Sequence, residues 1–192
     1  MTTLPPDDAT AVPATGGGTR LLVVFLLVGA AVSVALGVYG RLHEPTFGAL
    51  TTLGFPTLIS MKVTLGTAAM VFCVVQLFTA LRIFGRIGHG PVPRAVALAH
   101  RMSGVLAVFL SVPVAFHCLW SLGFGTYDAR VFAHSLFGCV FYGVFVTKML
   151  TLRSRRMPGW ALPWLGGALF TVMVVVWFTS ALWFFASGSP DY

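Results

Sequence analysis

Residues 21–39 read LLVVFLLVGAAVSVALGVY, an apolar run that contains no charged side chain. A helix needs roughly 20 apolar residues to cross the hydrocarbon core of a bilayer, and this run has that length. The run is too long for the hydrophobic part of a typical signal peptide, so we interpret it as a membrane anchor. It predicts a first transmembrane helix from about Leu21 to Tyr39.

Further apolar runs of helical length follow along the chain. They predict transmembrane helices near residues 57–84, 95–122, 131–152 and 162–185. Hydrophobic residues make up 57% of the 192 and charged residues 9%, and mean hydropathy is +0.91, which leaves too little polar surface for a soluble globule. The sequence therefore predicts an all-α integral membrane bundle of five transmembrane helices over residues 21–186, surrounded by lipid. Residues 1–20, which lack an apolar period, are predicted to be a disordered tail, and residues 187–192 a short C-terminal tail.

The positive charge of the chain is concentrated in two loops. The formal net charge is +7, and arginines collect at residues 82–94 and 153–156. Cytoplasmic loops of membrane proteins retain Lys and Arg, and in a five-helix topology both loops lie on the same side. This predicts a cytoplasmic N-terminus in the cell (inner) membrane, with loops 41–56 and 123–130 outside. The basic balance therefore indicates orientation and does not indicate a nucleic-acid partner.

Ionisable side chains inside the apolar runs are the first candidates for function, because a bilayer interior penalises them. They are Lys62, His100, His117, His134 and Lys148. His117 lies near the outer end of the third predicted helix and His134 near the outer start of the fourth. At about 1.5 Å of rise per residue they stand within a few Å of the same level. Two imidazoles at one level are what a six-coordinate haem iron needs. We therefore predict His117 and His134 as the axial ligands of one haem b near the outer face.

Cations and small residues complete the predicted haem site. Lys62, Arg130 and Arg41 are expected to neutralise the haem propionates, and Gly138 or Gly104 to let a flat macrocycle approach the helices. On the fourth helix an inward face is predicted by spacings of three and four residues. Its members are His134, Gly138, Phe141, Phe145 and Lys148.

Several alternatives remain open at this stage. His43 in the outer loop and His100 are less favoured ligands. His100 lies about 25 Å from His117 along the helix, so a structural or quinone-facing role suits it better. Transmembrane histidines also often only hydrogen-bond their neighbours. The rival functions are a cofactor-free accessory or assembly subunit of a respiratory complex, and a copper or zinc protein that uses His43, His117 and His134.

The histidine segments carry a resemblance to known haem proteins. His100-Arg101-Met102-Ser103-Gly104, the second histidine His117, and His134-Ser135-Leu136-Phe137-Gly138 resemble the histidine-bearing helices of membrane di-haem b-type cytochromes and transmembrane ferric reductases. The chain as a whole is also similar to an uncharacterised family of small bacterial five-helix membrane proteins.

The resemblance to the haem families covers residues 95–152. It implies haem iron bound between helices and electron transfer with a quinone or an extracytoplasmic redox protein. Those families carry two histidines on each of two diagonal helices, whereas the fourth helix here carries one. We therefore expect one haem and no second haem.

Overall fold

Residues 16–187 are described by a computed structural model, and all the regular secondary structure among them is helical. The α-helices are α1 (Gly16–Leu42), α2 (Leu58–Ile83), α3 (Arg94–His117), α4 (Ala129–Arg153), α5 (Ala161–Trp177) and α6 (Trp183–Ser187). A first π-helix, Cys118–Leu122, continues α3, and a second, Phe178–Leu182, joins α5 to α6. Five continuous helical stretches are long and apolar enough to cross a membrane. The prediction of an all-α protein with five membrane-spanning helices is confirmed.

The first helix begins earlier than predicted. Residues 16–20 were assigned to the tail from their composition, but they form the first five residues of α1. The start of α1 packs closely on the loop after α4. A Cβ built on Gly18 would lie 2.2 Å from the carbonyl oxygen of Arg156. Residues 1–15 of the predicted tail lie outside the described residues, as do residues 188–192 at the other terminus.

Side-chain caps mark the starts of α2 and α4, which lie close to the predicted positions. Thr57 and Ser60 form a reciprocal capping box at the start of α2, with each side-chain oxygen 3.1 Å from the backbone nitrogen of the other residue. The Asp128 carboxylate accepts from the Val131 N–H at 2.8 Å at the start of α4. At the end of the first π-helix Gly123 has φ +69°, and a Cβ there would lie 2.8 Å from the Gly40 carbonyl oxygen. A glycine is required at that turn on both grounds.

The bundle has two distinct ends. The arginine clusters lie in loops 84–93 and 154–160 and in the helix ends that adjoin them, and we call this end the basic end. The opposite end, with loops 43–57 and 123–128, is the distal end. Helices α1, α3 and α5 run from the basic end to the distal end, and α2 and α4 run back.

The helices form a curved row. α1 packs along α4, α4 along α5, and both α5 and α3 pack on α2. α1 and α4 approach closely through Gly29 and Gly143, and the Thr147 hydroxyl lies 3.1 Å from the Phe25 carbonyl oxygen across the same contact. Such small residues let helix backbones meet where lipid provides no hydrophobic driving force.

Within the described residues α3 and α4 do not pack along each other, although they are consecutive in the chain. The space between them is spanned by long side chains, since the Tyr142 hydroxyl on α4 lies 3.0 Å from the Ser111 hydroxyl on α3. At the distal end the row closes, because the Phe124 N–H donates to the Gly40 carbonyl of α1 at 2.7 Å. The backbones that carry His117 and His134 are therefore held apart.

Candidate functional site

His117, the last residue of α3, is buried with 1% of its surface exposed. Its Nδ1 lies 2.8 Å from the Pro113 carbonyl oxygen. A carbonyl can only accept, so Nδ1 carries the proton and Nε2 carries the lone pair. Among residues 16–187 this Nε2 is a buried side-chain atom without a hydrogen-bond partner. An unsatisfied buried polar atom costs about 1–3 kcal/mol, so it requires an explanation.

His134 on α4 is held in the same tautomer. Its Nδ1 lies 3.2 Å from the Thr179 hydroxyl oxygen in the second π-helix. That hydroxyl donates to the Val175 carbonyl at 2.7 Å, so it accepts the Nδ1 proton of His134. Nε2 of His134 therefore also carries a lone pair. A histidine whose Nδ1–H is held by an oxygen acceptor is oriented as metal-ligating histidines are.

Lys62 and Cys118 join the two histidines at the distal end. The charges of Lys62 and His134 are near enough to act electrostatically on the Cys118 thiol, which follows His117 in the chain. The start of α2, the extension of α3 and the start of α4 therefore lie near one another at the distal end. Cys118 lies in an apolar run without CxxC spacing, so the sequence did not single it out, and its position next to His117 is the one clue to its place here.

Lys62 lacks an acidic partner in the described part of the chain. The acids between residues 16 and 187 are Glu44 and Asp128, both in loops. Asp128 caps α4 and lies 3.8 Å from Arg130. The Lys62 ammonium therefore faces the site without a carboxylate to balance its charge.

Arg130 is bound to the protein itself. Its Nη1 donates to the Thr179 carbonyl at 2.8 Å, and its guanidinium carbon stands 3.9 Å from the centre of the Trp183 ring. These contacts anchor the second π-helix on the start of α4. Arg130 thus acts on the site through Thr179, the residue that also holds His134, and propionate binding by Arg130 remains a prediction.

Two glycines leave space beside the converging side chains. Gly138 lies one helical turn after His134, and Gly66 one turn after Lys62, and both are farther from the distal end than the ionisable residue. A Cβ built on either would meet no atom within 4 Å. At Gly104, in contrast, a Cβ would lie 3.1 Å from Nε2 of Gln76, so that glycine serves the contact between α2 and α3.

The remaining histidines lie outside this cluster. His43 donates from Nε2 to the Trp120 carbonyl at 3.1 Å and stacks on Tyr39, so it ties the loop after α1 to the first π-helix. His100 lies in the half of the bundle nearer the basic end and contacts Thr79. Neither is brought to His117.

Both π-helices border the candidate site, and the sequence did not predict either. The first begins directly after His117, and the second carries Thr179. π-helices are frequent at functional sites because the wider turn redirects side chains. Pro113, one turn before the first π-helix, is the sole irregularity that the sequence displays there.

Within residues 16–187 no three His, Cys, Asp or Glu side chains are grouped so that they could hold a metal ion. The copper or zinc site expected as an alternative from His43, His117 and His134 therefore gains no support. Two imidazoles that each present the lone pair of Nε2 suit a metal that brings its own equatorial ligands, as haem iron does.

Comparison with known proteins places the chain among relatives of unassigned activity. No curated protein and no solved structure matches it. The profile of a family of unknown function (DUF6529) matches residues 21–190, from the first membrane-spanning helix to the last. The chain therefore belongs to this family.

Proposed function

We propose that the protein is a b-type cytochrome, or the haem-carrying subunit of a larger complex, that transfers electrons in the cell membrane. One haem would lie between α3 and α4 at the distal end, with His117 and His134 as axial ligands. The observation that carries this proposal is Nε2 of His117, which is buried without a partner while Nδ1 donates to Pro113.

The surroundings of the two histidines support the same proposal. Bis-imidazole ligation needs separated backbones, and α3 and α4 do not pack along each other. The open space beside Gly138 and Gly66 lies on the helix faces that carry His134 and Lys62. Lys62, which has no ion pair in the described residues, would balance a propionate carboxylate.

A bound haem would supply one-electron chemistry at its iron. The protein would contribute orientation and charge. The hydrogen bonds from Nδ1 to Pro113 and Thr179 hold each imidazole in the tautomer that presents Nε2, and they raise the basicity of the ring. The apolar helices exclude water, which strengthens the pairing of Lys62 with a carboxylate.

The partners of this cytochrome would come from the membrane or from its outer side. The sequence contains no nicotinamide or flavin fingerprint, so electrons would arrive from another redox protein or from a quinone. The arginine clusters at the basic end favour a cytoplasmic position for that end, in the inner membrane of the cell. The haem would then lie near the outer face.

Visible spectroscopy of the purified protein tests the proposal. The reduced parent protein should show the sharp α band of low-spin haem b. His117→Ala and His134→Ala should each give a high-spin spectrum or lose haem, because each leaves one axial position without its imidazole. Added imidazole should restore low-spin absorbance in these two variants. His100→Ala and His43→Ala, compared at equal expression, should keep the parent spectrum.

Two results would overturn the proposal. A normal low-spin spectrum in His117→Ala would remove the ligand on which the assignment depends. A parent protein that carries no haem after expression with sufficient haem supply would favour the cofactor-free accessory subunit. Metal analysis of that haem-free protein would then separate the accessory subunit from a copper or zinc protein.

A further inference from the structure

Three arginines without a counter-charge lie where α4 ends at the basic end. Arg153 is the last residue of α4, and Arg155 and Arg156 follow in the loop to α5. All three side chains are exposed, and none forms an ion pair with a residue between 16 and 187. The acids in that range, Glu44 and Asp128, belong to the distal end. Like charges this close repel one another, so the three arginines, which we call the arginine cluster, require an anion from outside the chain.

The loop that carries the cluster is held in one shape by its neighbours. Met157 packs against a buried apolar cluster that α1 and α5 form together, whose members are Leu22, Ala161 and Leu165. The start of α1 covers the Arg156 carbonyl so closely that a Cβ on Gly18 would collide with it. The backbone is therefore fixed on its inner side between α1 and α5, and the guanidinium groups leave from the exposed side.

Two tryptophans stand beside the arginine cluster. Trp160 precedes α5 and Trp164 lies in its first turn, with 56% and 74% of their surfaces exposed. Residues four positions apart share one face of a helix, so the two indoles adjoin. In the described part of the chain the Trp177 indole donates a hydrogen bond to a side chain, whereas those of Trp160 and Trp164 do not. An apolar ring with an N–H donor is typical of the level of the lipid head groups.

The other basic loop lacks these features. The Arg82 guanidinium donates to the carbonyl oxygens of His89, Gly90 and Pro91 at 3.0, 3.2 and 3.1 Å, so it stabilises its own loop. Loop 84–93 also contains no tryptophan. A bias of positive charge toward one side of the membrane accounts for both loops, but it does not account for the rigid loop and the paired indoles at the arginine cluster.

We propose that the arginine cluster binds the phosphate of an anionic phospholipid in the leaflet at the basic end. A guanidinium group binds phosphate oxygens through two parallel hydrogen bonds, and basic pockets beside membrane-spanning helices are known sites for such head groups. The N-terminus of α5 adds positive partial charge, because its N-cap residue Trp160 makes no capping hydrogen bond through its side chain.

The indoles favour a lipid over a soluble phosphate ion. The acyl chains of a lipid cover the apolar face of Trp164 and the adjoining surface of α5, which a free phosphate leaves exposed. A lipid bound there links the ends of α1, α4 and α5, the three elements that meet at this loop. This inference is independent of the proposed haem, because the site lies at the opposite end of the bundle.

Native mass spectrometry of the full-length protein in mild detergent tests the site, with cardiolipin as the anionic lipid and phosphatidylcholine as the neutral one. The parent should bind cardiolipin in preference to phosphatidylcholine. One combined variant removes the cluster by Arg153→Gln, Arg155→Gln and Arg156→Gln. Its affinity for cardiolipin should fall about a hundredfold, since each arginine near an anionic lipid contributes roughly a factor of five.

A matched variant removes three exposed charges from the same end of the bundle, by Arg86→Gln, Arg94→Gln and Arg101→Gln. Its affinity for cardiolipin should stay near that of the parent. An equal loss in both combined variants would show that binding follows net charge and would overturn the proposal. A parent without preference for cardiolipin over phosphatidylcholine would overturn it as well.

A second pair of variants changes the shape of the loop and keeps every charge. Gly18→Ala pushes on the Arg156 carbonyl and should weaken cardiolipin binding several-fold. Gly17→Ala is its control, because a Cβ there meets no atom within 4 Å, and it should bind as the parent does. Parent affinity in Gly18→Ala would mean that the loop is not held in a binding geometry, which contradicts the proposal.

Thermal unfolding distinguishes a lipid from a soluble anion. Cardiolipin should raise the melting temperature of the parent, because a ligand that binds the folded state stabilises it, and should leave the variant without the arginine cluster unchanged. Without lipid this variant and the parent should melt together, since the substituted side chains are exposed. An equal rise with inorganic phosphate alone would assign the cluster to a soluble anion and would overturn the lipid assignment.

Discussion

Thr179 connects two side chains of the candidate haem site. Its hydroxyl oxygen holds Nδ1 of His134, and its carbonyl oxygen accepts from Arg130. The Thr179 hydroxyl proton is used within the helix, by the Val175 carbonyl. One residue of the second π-helix therefore sets the tautomer of the histidine and fixes the arginine that anchors the same segment.

We expect Thr179→Val to weaken haem retention about tenfold to a hundredfold, which is the usual effect of losing an outer-shell partner of a ligating histidine. Thr179→Ser keeps the hydroxyl and should retain haem as the parent does. The measurement is haem occupancy and redox potential of the purified variants. Ser180→Ala is the matched control, because the Ser180 hydroxyl donates to the Val176 carbonyl at 2.6 Å and does not contact His134. Unchanged occupancy and potential in Thr179→Val would show that Thr179 does not orient a ligand.

The sequence allowed part of this site to be predicted. The common level of Lys62, His117 and His134 follows from a constant rise per residue along helices whose ends are marked by charge and proline. The partner of His134 does not follow from that rule. Thr179 reaches His134 through a contact between elements 45 positions apart, and it does so from a π-helix that no residue pattern announced.

At the scale of the helix pair, the contact between α1 and α4 depends on two glycines. A Cβ built on Gly143 would lie 2.0 Å from the Ser33 hydroxyl oxygen and 2.3 Å from the Gly29 carbonyl oxygen. The carbonyl belongs to the backbone of α1 and cannot move without moving the helix. This contact brings α4 close to α1 and leaves the opposite side of α4 free to carry His134 and Gly138.

We expect Gly143→Ala to destabilise the protein by about 1–3 kcal/mol, the usual penalty for overpacking a close contact. Thermal unfolding in a mild detergent, followed by circular dichroism, measures the effect. Gly167→Ala on α5 provides the control, since a Cβ there meets no atom within 4 Å and the gain in helix propensity is the same. Equal melting temperatures for Gly143→Ala and the parent would mean that α1 and α4 do not approach as closely as described.

Which helices pack on one another could not be predicted from the sequence, for a physical reason. Each of the five spans is apolar around most of its circumference, since lipid outside and protein inside are both apolar. The number and length of the helices can therefore be predicted from the sequence. Their order in the row, with α3 packed on α2 and apart from α4, cannot. Small residues such as Gly29 and Gly143 do indicate close contacts, without naming the partner.

At the scale of the whole molecule, the two ends of the bundle differ in charge and in packing. The basic end carries the arginine loops and the open side of α3, and the distal end carries the loops pinned to the first π-helix. There the Ser121 hydroxyl donates to the Gly48 carbonyl at 2.7 Å, and the Phe47 N–H donates to the Ser121 carbonyl at 2.9 Å. The side of the membrane that each end faces decides which partners can reach the proposed haem site.

Cysteine labelling of intact cells tests the predicted orientation, in which the distal end faces outward because cytoplasmic loops retain arginine. Thr126→Cys and Ile87→Cys each place a thiol in an exposed loop, the first at the distal end and the second at the basic end. An impermeant maleimide added outside should modify Thr126→Cys and spare Ile87→Cys, and permeabilised cells should be labelled at both. The native cysteines Cys73, Cys118 and Cys139 belong to the membrane-spanning stretches, so the parent protein serves as the unlabelled control. Labelling of Ile87→Cys alone in intact cells would show that the orientation is opposite to the predicted one. The proposed haem would then exchange electrons with the cytoplasm.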